Sequence, residues 1–572
     1  MPRLLLPVLG LGMLGCPNTG KVAITGQTES AGDADADTDA DTDTDTDTDT
    51  DTDTDQDTAD SDTGGSDDTG HGDDTGTDPD TGDAPIDTST LRGAAASTGR
   101  WLGAAVNTGA LSDDPDYVAL LVSEFGAITP ENATKWGPLQ PDAETWDFTV
   151  ADSMVDLAEL HDMRIKGHTL VWHNQVPDFI SESMDAADLR SAMQAHFETT
   201  LLHFGTQIAD WDVVNEALLS DGSMRESVFL SALGEDYVSE AFMMAAEYAP
   251  DARLFYNDYG IEGYNDKSTA TVALVTDLIA DGAPIHGVGL QMHLTHGYAP
   301  TRDELKDNID RLWALGPVVH ISEMDVQIRH LQGPESERLL AQAMTYYDIT
   351  AACVESEGCE QMTFWGLTDR YSWIDTAYGA DDPLLYDDDL VAKPARTAVH
   401  QALLGEPMTG CEDSRLINGD FESGLDDWIS WGGSLSTVSD PVYAGTAAVR
   451  SSDRTAYWQG PVQSVLDRIG DGLLYEGRAW VRVGNASEAE VKMTLQWIDD
   501  AGEHWVPLNW VTATDEDWTE LSGVVNFSDT RTTGEVVAAH LYIEGPDAGV
   551  DIYADDVSLH PVCPDTSVPV SR

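Results

Sequence analysis

Ile208-Ala-Asp-Trp-Asp-Val-Val-Asn215, followed at once by Glu216, is a short apolar run that closes on two polar residues. A run of that length, bounded by turn residues, reads as a buried strand. Working outward in both directions, seven more runs have the same character: Gly103–Asn107, Ala127–Pro130, Arg164–Val171, Ala252–Asn257, Gly287–Gln291, Val318–Ser322 and Met362–Gly366. Amphipathic helical stretches separate them. Strands alternating with helices through residues 97–408 predict an α/β fold, a (β/α)8 TIM barrel. Polar or aromatic residues recur where the runs end: Glu131-Asn132, His168, Asn215-Glu216, Asn257-Asp258-Tyr259, Gln291, Glu323 and Trp365. Barrel active sites lie at the C-terminal ends of the strands. One such residue means little, but sets at successive strand ends are hard to explain by core packing.

Past Glu406 the pattern changes. Residues 409–564 are rich in Trp, Tyr, Val and Gly, with period-2 runs such as Val491-Lys-Met-Thr-Leu-Gln-Trp497, and predict a β-sandwich of the jelly-roll kind. Five cysteines are present: Cys16, Cys353, Cys359, Cys411 and Cys563. Four cysteines allow three pairings. The preferred one joins Cys353 to Cys359 around a small loop and Cys411 to Cys563 across the ends of the sandwich.

The first 96 residues are different again. Met1-Pro-Arg and the apolar Leu4–Leu14 form a segment too short to span a bilayer, and read as an export signal. Leu14-Gly-Cys16 at its end resembles a bacterial lipoprotein cleavage box, with residues 1–16 as signal and Cys16 as the lipidated residue. The alternative is an ordinary signal peptide and secretion. Residues 17–96 hold 23 Asp between Asp33 and Asp87, many in strict Asp-Thr alternation, with almost no large apolar side chain. Such a segment cannot repay its ordering entropy, so it is expected to be a disordered, charge-extended linker. A calcium-binding repeat is the other reading of so many aspartates, but the glycine spacing of such repeats is missing. Residues 565–572 form a tail. The chain is thus expected at a bacterial cell surface or outer membrane, or secreted, reaching a membrane only through the lipid anchor, and as a monomer. Its net charge of −76 continues into the folded part and argues against a nucleic-acid partner.

Two glutamates carry the chemistry. Glu216 ends Trp211-Asp-Val-Val-Asn-Glu216 and Glu323 ends Val319-His-Ile-Ser-Glu323, at the fourth and seventh strands, which face each other across a barrel mouth. Glycosidic cleavage needs two carboxyl groups flanking one bond, and a separation of about 5–5.5 Å makes the reaction retaining. The barrel region resembles glycoside hydrolase family 10, the xylanase family. The matching segments are Ile128-Thr-Pro-Glu-Asn-Ala-Thr-Lys-Trp136, Gly167-His-Thr-Leu-Val-Trp-His-Asn-Gln175, Trp211–Glu216, Tyr256-Asn-Asp-Tyr259, Gly289-Leu-Gln-Met-His293, Ile321-Ser-Glu-Met-Asp325 and Phe364-Trp-Gly-Leu-Thr-Asp-Arg-Tyr-Ser-Trp373.

The resemblance implies an endo-1,4-β-xylanase, with Glu216 as acid/base and Glu323 as nucleophile. Asn215 would bond the sugar 2-hydroxyl. His293, oriented by Asp325, would keep Glu323 ionised, leaving the raised pKa to Glu216. Asn132, Lys135, His168, Trp172, Gln175 and Gln291 would bind the sugar on the glycone side. Trp365 and Trp373 would roof it, and Tyr259 would stack on the leaving-group side. Phe179 and Ala133 depart from the family pattern and bear on subsite affinity. The xylan chain, or another β-1,4-linked plant polysaccharide, is the expected partner. No catalytic cofactor is expected. A related barrel β-glucanase, a non-catalytic surface lectin and transglycosylation are the competing readings.

The sandwich resembles carbohydrate-binding modules of family 22 and the related families 4 and 9, through Asn418-Gly-Asp-Phe-Glu422, Arg454-Thr-Ala-Tyr-Trp-Gln-Gly460, Leu473–Val481, Leu541–Pro546 and Tyr553–Leu559. Trp458, Tyr542 and Glu544 are the implied sugar contacts. Glu422 and Asp556 are the implied ligands of a structural calcium ion.

Overall fold

The computed structural model describes residues 86–527 and 535–564. The signal, Cys16, nearly all of the Asp-rich segment and the tail lie outside them. No helix among the described residues is long and apolar enough to cross a membrane.

Nine strands build the first part: β1 (Trp101–Val106), β2 (Ala127–Pro130), β3 (Arg164–Trp172), β4 (Asp210–Asn215), β5 (Arg253–Asp258), β6 (Gly287–Leu290), β7 (His293–Thr295), β8 (Val318–Gln327) and β9 (Cys359–Phe364). Neighbouring strands from β1 to β6 pair in parallel, β6 pairs with β8, β8 with β9, and β9 with β1, so eight strands close into a barrel. Both faces of these strands are covered, which is why they read as apolar runs and not as alternating ones. β7 is an addition: it pairs only with the second half of β8, placing His293 opposite Asp325. β8 therefore runs well past Ser322, and Glu323 and Asp325 are strand residues, not loop residues.

The barrel also begins earlier than the expected boundary at residue 97. A helix spans Leu91–Ser97, capped by the Thr90 side chain, and buries Leu91, Ala94 and Ala95 completely. Its Gly/Ala-rich composition had made it look like the end of the linker. Burial of those small side chains in the barrel core, which composition alone does not reveal, fixes it as structure.

The second part has ten antiparallel strands: β10 (Ile429–Ser430), β11 (Ser434–Val438), β12 (Ala448–Ser452), β13 (Pro461–Ser464), β14 (Leu474–Gly484), β15 (Glu488–Asp499), β16 (Gly502–Thr514), β17 (Thr519–Asn526), β18 (Ala538–Glu544) and β19 (Asp551–Pro561). They form two five-stranded sheets, ordered β10-β13-β18-β15-β16 and β11-β12-β19-β14-β17. Alternate residues of β15 (Val491, Met493, Leu495, Trp497) and β18 (Leu541, Ile543) face the core between the sheets. Both expected disulfides are formed, Cys353–Cys359 and Cys411–Cys563.

One apolar cluster runs from the helix Glu335–Glu355 of the barrel into the sandwich, joining Leu340, Met344 and Tyr347 to Val465, Ile469, Leu473 and Tyr475. A helix on the outside of a barrel should show one polar face. This one is buried nearly all round, because the sandwich covers its outer side. Burying each of those large side chains stabilises the contact by about 1.5–3 kcal/mol.

Candidate active site

β4 ends at Asn215, and Glu216 follows with φ 59°, in the left-handed region that a residue with a side chain enters at a cost. Its amide donates to the Asn257 carbonyl at 2.9 Å, which anchors the turn to β5. The Glu216 side chain remains 12% exposed. Glu323, inside β8, is 4% exposed. A net of side-chain amides connects the two carboxylates. Asn257 Nδ2 donates to Glu323 Oε1 at 2.6 Å and to Asn215 Oδ1 at 2.8 Å. Gln291 Nε2 stands 3.2 Å from both Asn215 Oδ1 and Glu216 Oε1. Turned over, the Asn215 amide instead accepts from the Trp172 indole at 3.2 Å. The amide thus has donors on either side, and which orientation holds is set by the hydrogen-bond network.

The electrostatics of the two carboxylates differ. Burial would raise the Glu323 pKa, but His168 nearby, the hydrogen bond and charge of His293, and the Asn257 amide outweigh it and hold the carboxyl at about 2. His168 Nδ1 lies 3.9 Å from Glu323 Oε1 and 3.0 Å from Asp212 Oδ2. His293 Nε2 lies 3.2 Å from Glu323 Oε2, and its Nδ1 2.8 Å from Asp325 Oδ2. Burial opposes charge on His293 as well, yet the Asp325 carboxylate, and then Glu323, push its pKa well above the usual range. A protonated imidazole donates from both nitrogens, so the Glu323–His293–Asp325 row is satisfied in that state. The expected relay is thus present in the geometry.

Glu216 faces another histidine, one that the sequence reading passed over. His173 Nδ1 lies 3.9 Å from Glu216 Oε2 and has no hydrogen-bond partner among the described residues. Burial pushes this imidazole down to about 4, so it faces Glu216 uncharged at neutral pH. Its place between Trp172 and Gln175, just past a strand end, was the available signal. Asn257, counted among the polar strand-end residues but given no role, is the next-to-last residue of β5 at the same rim.

The remaining expected contacts gather around the pair. Asn132 Oδ1 accepts from Lys135 Nζ at 3.0 Å and from Gln175 Nε2 at 3.1 Å. Lys135 Nζ sits 4.7 Å from the centre of the Trp172 ring. Burial lowers the Lys135 pKa. Trp365 meets His168 and His293 edge-on, and the Trp373 indole donates to Asp325 Oδ2 at 2.9 Å. Trp373 therefore braces the histidine relay. Tyr259 carries Lys267 Nζ at 3.5 Å from its ring centre and receives a hydrogen bond from Arg225 at 2.8 Å. Those cations limit the ring area open to a sugar.

On the sandwich, Trp458 is 45% exposed while Tyr542 and Glu544 are buried. Register puts Tyr542 and His540 of β18 opposite Thr494 and Gln496 of β15, and Gln496 opposite the exposed Trp505 of β16. Thr494 Oγ1 donates to Glu544 Oε1 at 2.8 Å, and Trp431 packs 5.0 Å from both His540 and Tyr542. This outer face alternates with the core face and mixes aromatic rings with fixed polar groups, the composition that sugar rings require. The sequence had indicated two of its members, Tyr542 and Glu544, while Trp458 stands in the segment before β13. Glu422 is engaged by Thr446 and Ala447, and the amide of Asp556 donates to Asp555. Among the described residues no three His, Cys, Asp or Glu side chains form a metal-binding group.

A closed parallel barrel whose fourth and seventh strands bring two glutamates to one rim, one anionic and paired with histidine, defines a glycoside hydrolase site. Residues 90–402 match the model of glycosyl hydrolase family 10, and residues 414–549 match a carbohydrate binding domain of the family 4/9 type. The chain is 39% identical over 298 residues to Endo-1,4-beta-xylanase D of Talaromyces funiculosus, covering 52% of this chain and 72% of that one. It is 34% identical to Endo-1,4-beta-xylanase B of Thermotoga neapolitana (52% and 86% covered), and 34% identical to a protein of Acetivibrio thermocellus named Exoglucanase XynX (60% and 32%). The structure of native xylanase 10B from Thermotoga maritima superimposes with a TM-score of 0.53 at 36% identity, covering 55% of this chain and 98% of that one. The chain belongs to glycosyl hydrolase family 10.

Proposed function

We propose that this chain is a retaining endo-1,4-β-xylanase in which Glu323 is the nucleophile and Glu216 the acid/base. The observation that carries the assignment is the asymmetry of the pair: Glu323 is buried against His293 and held at about 2, while Glu216 is hydrogen-bonded, among the described residues, by neutral amides. In the first step Glu323 Oε attacks the anomeric carbon, the glycosidic C–O bond breaks, and Glu216 gives its proton to the departing oxygen. In the second, the Glu216 carboxylate takes a proton from water, the hydroxide attacks the anomeric carbon, and Glu323 leaves. Charge develops on the ring in both steps. The Asn215 amide, turned toward the 2-hydroxyl, strengthens its bond as that happens. Trp365 and Trp373 close the glycone site around a ring without an exocyclic CH₂OH, which favours xylose over glucose. The sandwich face around Trp458 holds the polysaccharide.

The test compares hydrolysis of soluble xylan and carboxymethyl cellulose by the wild-type chain and Glu323→Ala, with depletion of each protein from solution by insoluble xylan. The expected result is preference for xylan, loss of turnover in Glu323→Ala, and retained binding. Preference for cellulose refutes the substrate; unchanged turnover in the variant refutes the mechanism.

A further inference from the structure

The short strand that presents His293 is also where the sandwich meets the barrel. β7 ends at Thr295, and the next residue, His296, is 9% exposed. Its amide donates to the Gln327 carbonyl at 3.0 Å, extending the pairing that sets His293 beside Asp325. Its ring spans two other elements. Nδ1 lies 2.8 Å from Thr345 Oγ1 on the helix Glu335–Glu355, and Nε2 lies 3.2 Å from the carbonyl oxygen of Gly472, in the sandwich. The neighbouring contacts are polar and largely buried. Gln332 and Asp471 exchange hydrogen bonds of 2.9 and 3.1 Å. Tyr475 donates to Glu337 Oε2 at 2.9 Å while accepting from the Gly470 amide at 2.8 Å, and Arg415 Nε lies 2.9 Å from Glu337 Oε1. Glu337 is 3% exposed and Tyr475 1%. A desolvated network of this kind favours one geometry, because shifting the parts breaks several buried polar contacts at once.

We propose that the sandwich is a working part of the catalytic centre: through Gly472 it fixes His296, and through His296 the strand that holds His293 against Glu323. His296 is a positioning residue, which touches no substrate. The proposal rests on the assignment of Glu323 as nucleophile. It gives the sandwich an effect on turnover of substrates too short to reach its sugar-binding face.

The geometry supplies a sharp perturbation. Gly472 has φ 82°, and a Cβ there would stand 2.5 Å from His296 Nε2. Gly549, in the same sandwich, has φ 85° and open space around its would-be Cβ, so Gly549→Ala imposes the same backbone strain without the contact. The full-length chain is assayed with a soluble aryl β-xylobioside, recording kcat, KM and the pH profile. Gly472→Ala is expected to lower kcat about tenfold, the scale of a small misplacement in a catalytic constellation, with its acid limb moved to higher pH. Gly549→Ala keeps wild-type kcat. His296→Ala, which makes no overpacking, shows the same loss and the same limb, and adding Gly472→Ala to it changes nothing further. Wild-type kcat and pH profile in His296→Ala, or additive losses in the double variant, overturn the proposal. Turnover by Glu323→Ala would instead overturn the catalytic assignment and leave the contact itself standing.

Discussion

Replacing Asp325 by Asn tests the relay with the smallest change of shape. The amide is isosteric, its oxygen can still accept from His293 Nδ1 and the Trp373 indole, and only the negative charge is lost. Asp325 is the leading reason that His293 is protonated in a buried place; without it, burial favours the neutral ring. Glu323 then loses a cationic donor at 3.2 Å. Its carboxyl is held from an ordinary 4.5 to about 2 against burial, a net effect of about 3 kcal/mol by the usual conversion. His293 supplies two of the four favourable contributions, behind His168 and ahead of Asn257. Losing its charge while keeping part of its hydrogen bond is therefore worth about one pH unit, or about 1.4 kcal/mol. The direction follows from the nucleophile being active when ionised. A higher Glu323 pKa moves the acid limb of kcat/KM upward, and activity in Asp325→Asn begins to fall about one pH unit sooner on acidification. Stability follows the same sign. The folded value lies below the unfolded one, so the contribution of Glu323 is complete above its unfolded pKa and is lost as pH falls toward 2; the variant narrows that window. The assay is initial rates on an aryl β-xylobioside from neutral to acid pH, with tryptophan fluorescence marking where each protein stays folded. An acid limb coincident with wild type within the folded range would refute the reasoning.

Two further outcomes are expected, one from the fold and one from the sequence. Cys411–Cys563 closes a loop with a sequence separation of 152; removing both sulfurs by Cys411→Ser/Cys563→Ser is expected to cost up to about 5 kcal/mol through unfolded-chain entropy. That cost is read as a lower urea midpoint of the full chain, and an unchanged midpoint contradicts it. Cys16 and the Asp-rich segment rest on sequence alone, and we propose that they tether the enzyme to the cell surface. Wild type expressed in a bacterial host then partitions into detergent and Cys16→Ser does not; equal partitioning of both removes the anchor.

Much of the barrel was legible because its determinants are local. Strand runs buried on both faces announce themselves by length and apolar content, and Asn215-Glu216 marks its own strand end; Glu323 was legible by residue type, but its strand runs on to Gln327. The helix Leu91–Ser97 was not legible, since Ala and Gly are as common in linkers as under a packed strand. His173 was not, because nothing in Trp-His-Asn-Gln tells which of its side chains turns toward the acid. The outer side of Glu335–Glu355 was not legible either, since nothing in the sequence tells that the sandwich packs on its apolar residues.

By itself the sequence determined which side chains could do the chemistry, and on which strands, since periodicity and residue type are properties of a short stretch of chain. Tertiary structure alone decided the protonation of Glu323 and His293, the neutral His173 beside Glu216, and the docking of Gly472 on His296. Those depend on distances between residues remote in sequence and on the exclusion of water around them, and electrostatic interaction strengthens steeply as both separation and solvent are removed.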